Sequence, residues 1–388
     1  MPQIAGLRGV LPEASRLKEV VAGTGGAAFD VAKGFAAGTL VRDPGRALYR
    51  YHQVFPEPSG RTVVRKMFVC AVRLEAWNDG LVRPHEATVP EHKAAALAGL
   101  AASRLQTQPV LAGFRDAPNE VERLFRRVDS ERPTLEITTP DRTVHRLWRA
   151  QSGEILGPLR HVFAPKKVTV LEGHALYEAL LAYRDELAAK QPLAMYSSAN
   201  YALMCLVNLD DPTLAVVPRH RVIRGGPSSQ AALAAAKRYF IIEKLAGVGS
   251  DLGKQRAALG DTVAHQPAFV VAWRGEPDAW KLTLSPEVSP INEGVQVHRA
   301  LQRLAPIVAD QMFVERVLTG AKVEVLPGGE DPLAAKGDAV LVMQPLTVEQ
   351  INHLAEIGQV VPTGSSSFYP RLATGLIAAV IDPDEDLV

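Results

Sequence analysis

The sequence predicts an α/β (α+β) protein with mixed sheets. Two observations carry most of this. β-Branched and aromatic residues gather into paired runs separated by turn residues, at 47–75, 134–149 and 268–284. A short apolar run at 168–171 feeds a helical pattern through Glu172-Gly173, with Leu176, Leu180, Leu181 and Leu187 at helical spacing up to residue 190. At 388 residues the chain has room for two or three domains, and 47% apolar content marks it as globular.

In chain order, residues 1–22 give a short apolar segment and a helical turn around 17–21. Gly23 to Asp30 (GTGGAAFD) is a glycine-rich loop without the Gly-Lys-Ser/Thr of a phosphate loop or the spacing of a dinucleotide fingerprint. ALYRYHQVF and RTVVRKMFVCAVRLE form a hairpin across Pro-Glu-Pro-Ser-Gly. His85, Glu86 and Thr88 then sit in a loop before an alanine-rich helix. LEITT and TVHRLWRA form a second hairpin. Strands follow the central helix at 202–208 and 214–217, the latter delivering Arg219, His220 and Arg221. Residues 229–260 and 295–318 read as helical, with a hairpin between them. The end reads as a strand at GDAVLVMQP, a helix at TVEQINHLAEIG, the loop VVPTGSSSFYPRLATG and a last strand. The expected division is 1–105, 106–228 and 229–388.

Charge and composition exclude several classes. Forty-three basic and 42 acidic residues give a net charge of +1, which is not the field of a general nucleic-acid binder. Cys70 and Cys205 lie in apolar runs, as small core residues of a reducing compartment do. The N-terminus lacks the basic-then-apolar pattern of a signal peptide, and no apolar run approaches the roughly 18 residues of a membrane span. The expectation is a cytoplasmic protein without a membrane or nucleic-acid partner, with a homo-oligomer left open.

Candidate chemistry starts at the central turn. A strand entering a helix through Gly173 leaves free backbone N–H groups and the positive end of the helix dipole beside His174, a geometry suited to a phosphate or carboxylate. The plain alternative is a glycine turn with a capping histidine. Glu178 follows one turn later, so His174 could be a base with an orienting carboxylate, or simply part of a surface pair. HEATVPEH is not a zinc motif: the second histidine is seven residues on, with Pro90 between. No metal site is expected.

The landmarks RDPGRALYRYHQVF, PHEAT, HRLWR, LEGHALYEALLAYRDE, MCLVNLDDPTLAVVPRHRVI, VMQPLTVEQINHLAEIG and VVPTGSSSFYPRLATGL, in this order, resemble the DUF1015 family. The family's central signature, Asp-Gly-His-His-Arg then Tyr-Glu-Thr-Ala, is similar to the phosphate signature of the ParB/sulfiredoxin fold, which also hosts free-serine kinases. The resemblance implies a central ParB/sulfiredoxin-like unit and a small-molecule phosphotransferase. Its cofactor would be ATP, ADP or pyrophosphate with magnesium, and its substrate a hydroxy amino acid. It makes Glu86 the general base, with His85 beside it. Glu172, Gly173, His174, His220, Arg221, Ser365 and Ser366 would surround the phosphates.

This sequence departs from that pattern where charge matters most. Ala175 replaces the second histidine, Leu176 the arginine, and Gly364 the lysine of the C-terminal loop. Phosphoryl transfer relies on positioning and charge neutralisation. Each lost charge-assisted bond weakens phosphate binding by about 1.5–3 kcal/mol. Arg221 could replace part of that charge or serve a structural ion pair. Gly364 to Ser367 could form an anion-holding nest without lysine. Two readings follow: a divergent enzyme of phosphotransferase ancestry, repurposed for an amino-acid-like substrate, or a catalytically inactive ligand-binding or protein-interaction relative.

Overall fold

The computed structural model describes residues 3–21, 30–57, 60–260 and 266–387. The glycine-rich stretch 23–30 falls outside these residues except for Asp30, whose carboxylate caps a short helix by accepting from the Lys33 N–H. The protein has mixed α/β architecture with several sheets. The chain folds into two compact units. One comprises residues 1–84, 88–215 and 370–388; the other comprises 85–87 and 216–369.

The first unit is built on a nine-stranded sheet. Its middle is Thr62–Arg73, flanked by Ala47–Pro56 and Tyr201–Asn208 and paired at its end with the short Ile4–Ala5, all antiparallel to it. Val144–Gln151 and Leu135–Thr138 extend one side. Val110–Phe114 extends the other, parallel to Tyr201–Asn208, followed by Val168–Glu172 and Val82–Arg83. The two hairpins expected at 47–75 and 134–149 are both present. Every residue of Tyr201–Asn208 is buried, as a central strand covered on both faces requires. Phe68, Phe114, Phe125 and Phe163 pack on one face, with the Phe114 and Phe163 rings 4.7 Å apart.

A buried charge cluster sits in the same unit. The fully buried Arg50 donates to both Glu122 oxygens and both Asp129 oxygens. His52 Nε2 lies 3.1 Å from Asp129. Buried charge persists only when paired and hydrogen-bonded, and Arg50 satisfies its fork through two carboxylates.

The second unit carries a six-stranded antiparallel sheet. Its order is Phe240–Leu245, Ala279–Leu284, Ala268–Trp273, Ala339–Met343, Arg221–Arg224 and Lys322–Val325. Val222, Val270, Val342 and Leu326 lie in its core.

Two helical expectations are corrected here. Residues 229–260 form a helix at Ser229–Ala236, a strand at Phe240–Leu245 and a second helix at Leu252–Leu259. Alanine favours helix throughout, but Phe240–Leu245 finds a strand partner in Ala279–Leu284, and long-range pairing overrides local propensity. Residues 295–318 are loop and turns around a short helix at Ala305–Ile307 that continues as a π-helix at Val308–Val314. That segment is buried almost all round, so its apolar residues are set by surroundings on every side and carry no single helical stripe. No described helix is long and apolar enough to cross a membrane.

Candidate functional site

The central turn of the first unit forms as the sequence requires. Val168–Glu172 ends in Gly173, whose φ of +92° is the left-handed conformation open to glycine, and the helix His174–Ala188 begins there. His174 departs from its expected exposure. It is 8% exposed, because the first turn faces inward together with Tyr177 and Leu180. Glu178 gives its carboxylate to other partners: Trp77 Nε1 at 3.2 Å and Thr88 Oγ1 at 3.1 Å, with Lys93 Nζ 4.0 Å away. Tyr177 stacks on Trp77 at 4.4 Å and exchanges two hydrogen bonds with the Glu75 backbone. This helix start is therefore a packed junction. Glu172, at the strand end, contributes to the field felt by the buried Arg65.

The second unit gathers a different set of the sequence candidates. The segment His85–Ala87 runs parallel to the chain at Val361. Val361 N–H donates to His85 O, and Ala87 N–H donates to Val361 O, each at 2.9 Å. Thr363 Oγ1 donates to Ala87 O. These bonds bring the Glu86 carboxylate onto the serine loop. Glu86 Oε1 accepts from Gly364 N–H at 2.7 Å; Oε2 accepts from the N–H and hydroxyl of Ser366 at 3.2 and 3.1 Å. On the other side of that hydroxyl, His85 Nε2 lies 2.8 Å from Ser366 Oγ. When Ser366 donates to Glu86, its oxygen accepts from His85 Nε2–H, giving an ordered His–Ser–Glu relay. His85 is fully buried with its ring edge-on to Phe368.

Burial raises the Glu86 pKa above the ordinary carboxylate value. The opposing hydrogen bonds from Gly364 and Ser366, and the Arg219 charge, do not cancel it. Ser365 turns its hydroxyl to Pro362 O at 2.6 Å, away from Glu86.

Gly364 explains the missing lysine in physical terms. Its φ is +83°, and a Cβ there would come within 2.8 Å of Val325 Cγ1 and 3.4 Å of Arg219 Nη1. This loop shape requires glycine. A lysine would need a different loop.

Arg221 takes the structural role. Its guanidinium pairs with both Asp310 oxygens, at 3.1 and 2.9 Å, and donates to the carbonyls of Arg219 and Gly364. It is 1% exposed and shapes the loop from behind. His220 is also buried; burial first, then the Arg256 and Arg221 charges, pushes its pKa down to about 3. The structure thus brings together His85, Glu86, Ser366 and, through Gly364, Arg221. Glu172, Gly173 and His174 belong to the other unit. Asp310 and the participation of Arg219 were missed by sequence reading. Asp310 sits in a stretch read as plain helix and carries no local signal.

The magnesium–phosphate group implied by the family resemblance does not fit these residues well. Gly364 stands at the lysine position, and Arg221 is already neutralised by Asp310. Among the described residues no group of three His, Cys, Asp or Glu is placed to hold a metal ion.

The arrangement defines an α/β protein with a carboxylate-centred serine loop. The sequence model of the family described as "Protein of unknown function (DUF1015)" matches residues 20–304, and the chain belongs to that family. No curated protein matches the chain. Among solved structures, it is similar to SbnI with a C-terminal truncation from Staphylococcus aureus. That match has 12% identity and a TM-score of 0.39, covering 82% of this chain and 90% of that one. A free serine kinase in complex with AMP is similar at 11% identity and TM-score 0.38, covering 79% and 90%. A conserved hypothetical protein from Pyrococcus furiosus has 13% identity and TM-score 0.34, covering 76% and 90%. Likenesses this distant assign no activity to the chain.

Proposed function

We propose that this protein is a divergent small-molecule enzyme of phosphotransferase ancestry, with Glu86 as its acid–base group and a hydroxy amino acid as the substrate class. The observation that supports this is the Glu86 carboxylate, whose proton affinity stays above the ordinary value despite three hydrogen-bond donors. A carboxylate of that kind is suited to taking a proton from a substrate hydroxyl. The relay through Ser366 to His85 holds it in one orientation. Ligand binding would rest on groups other than the inherited phosphate cradle, since Ala175, Leu176 and Gly364 stand where its charges were expected and Arg221 is paired with Asp310.

A second reading, a ligand-binding relative without catalysis, is favoured by a specific feature of the same site. Both Glu86 oxygens already accept hydrogen bonds from the loop, as a structural clasp would.

One experiment separates the two. Calorimetry is run with L-serine, ATP, ADP and pyrophosphate, with and without magnesium, and each mixture is followed by phosphorus NMR. Turnover of serine that disappears in Glu86→Gln supports the enzyme. Binding without turnover supports the second reading. Turnover unchanged in Glu86→Gln removes Glu86 from the mechanism.

A further inference from the structure

A cavity of about 410 Å³ lies in the second unit, walled by Val217, Pro218, Leu259, Met343 and Pro345, with Arg256 among its lining residues. Its volume is that of a small-molecule site, and its walls are largely apolar. Arg256 projects from the helix Leu252–Leu259, and among the described residues its hydrogen-bond partner is His220.

That contact is chemically incomplete. Met343 N–H donates to His220 Nδ1 at 3.1 Å, so Nδ1 supplies the lone pair and Nε2 carries the proton. Arg256 Nη2 lies 3.1 Å from the same Nε2. Two donors therefore face each other, one charged, and among the described residues the pair has no acceptor. A protonated imidazole would sharpen the conflict, and its low proton affinity keeps the ring neutral. Reversing the tautomer only moves the clash to Met343 N–H, which is buried in the sheet.

We propose that the Arg256 guanidinium, backed by His220 Nε2–H, holds a carboxylate whose apolar body fills this cavity. The carboxylate supplies the acceptor that neither group finds among the described residues. A planar guanidinium fork matches it. The ligand class is a small apolar monocarboxylic acid. This inference goes beyond the Glu86 reading and does not rest on it.

The test is calorimetric titration of the full chain with straight-chain carboxylates from butyrate to decanoate, with octanamide as the uncharged control. Saturable one-to-one binding is expected, tightening with chain length until the cavity is filled. Octanoate should bind at least tenfold more tightly than octanamide. Arg256→Gln, on an exposed side chain, should weaken octanoate by roughly 10- to 100-fold, with Arg256→Lys between the two. Val217→Trp, which fills the cavity, should abolish binding while the circular dichroism is unchanged. No saturable binding by any member of the series overturns the proposal. So does equal binding of octanoate and octanamide, or octanoate affinity unaffected by Arg256→Gln. Loss of octanoate binding in Arg256→Gln with any Glu86-dependent turnover intact keeps this outcome separate from that of the Glu86 reading.

Discussion

Gly364 donates its backbone N–H to Glu86 Oε1 across 2.7 Å, joining positions 278 residues apart in sequence. The bond orders the serine loop around a single carboxylate. Glu86→Gln keeps the shape but replaces one acceptor oxygen with an NH₂ donor that faces an N–H. On the proposed enzyme reading the expected result is loss of turnover by at least 100-fold, the usual weight of a general base. Destabilisation should stay near 1–3 kcal/mol, the cost of an unsatisfied buried donor. Steady-state kinetics and urea unfolding of the same preparation measure both.

Restoring the family's lysine should fail. Gly364→Lys forces a left-handed backbone at φ +83° onto a side chain and brings its Cβ against Val325. The expected cost is about 1–3 kcal/mol, with no gain in affinity for ADP or pyrophosphate. A tighter complex with either ligand would show that the loop reshapes readily and that the cradle is recoverable.

The Arg221–Asp310 pair holds the loop from beneath, with the arginine 1% and the carboxylate 30% exposed at the side chain. Asp310→Ala leaves a buried cation facing two carbonyls, and should destabilise the protein by about 3 kcal/mol. The double variant Arg221→Met, Asp310→Ala should recover part of that loss, since it removes the stranded charge. A double variant no better than Asp310→Ala in thermal unfolding would show that the carbonyl contacts, not the ion pair, set the cost.

Acid should weaken the fold before the ordinary carboxylate range is reached. His145 is buried between Tyr51 OH at 2.6 Å and Thr139 Oγ1 at 3.1 Å, and burial lowers its pKa to about 4. An unfolded histidine binds its proton near 6.5, so between about 6.5 and about 4 the unfolded chain holds the extra proton. Stability contributed by the neutral ring is complete above that window and lost as pH falls through it, at up to about 1.4 kcal/mol per pH unit. His220 adds the same sign over 6.5 to about 3. Asp129, held low by His52 and Arg50 despite its own burial, adds a loss only below about 4. Urea unfolding from pH 7 to 4 should show ΔG falling, and His145→Gln should flatten the slope. A slope unchanged in that variant would remove His145 from the account.

Much of the chain was legible residue by residue. Hairpins at 47–75, 134–149 and 268–284 follow from β-branched runs and turn residues, and the Gly173 turn from a position only glycine fills easily. The helical misreading at 229–260 has a long-range cause: an alanine-rich stretch fits helix and strand alike until a partner strand is known. Phe240–Leu245 found that partner in Ala279–Leu284.

The sequence by itself determined the family, the mixed α/β class and the central strand–turn–helix, and it offered His85, Glu86 and the serine loop as candidates. Tertiary structure alone decided what those residues do to one another. It set Glu86 on Gly364 and Ser366, gave Arg221 to Asp310, and placed Arg256 against His220. It also interlaced the chain, returning 370–388 to the first unit and assigning 85–87 to the second. The physical reason is range. Periodicity and turn chemistry act over a few residues, whereas a buried carboxylate or guanidinium is satisfied by whichever donor or acceptor the sheets bring near it. Those partners lie 89 and 278 positions away, where no local pattern reaches.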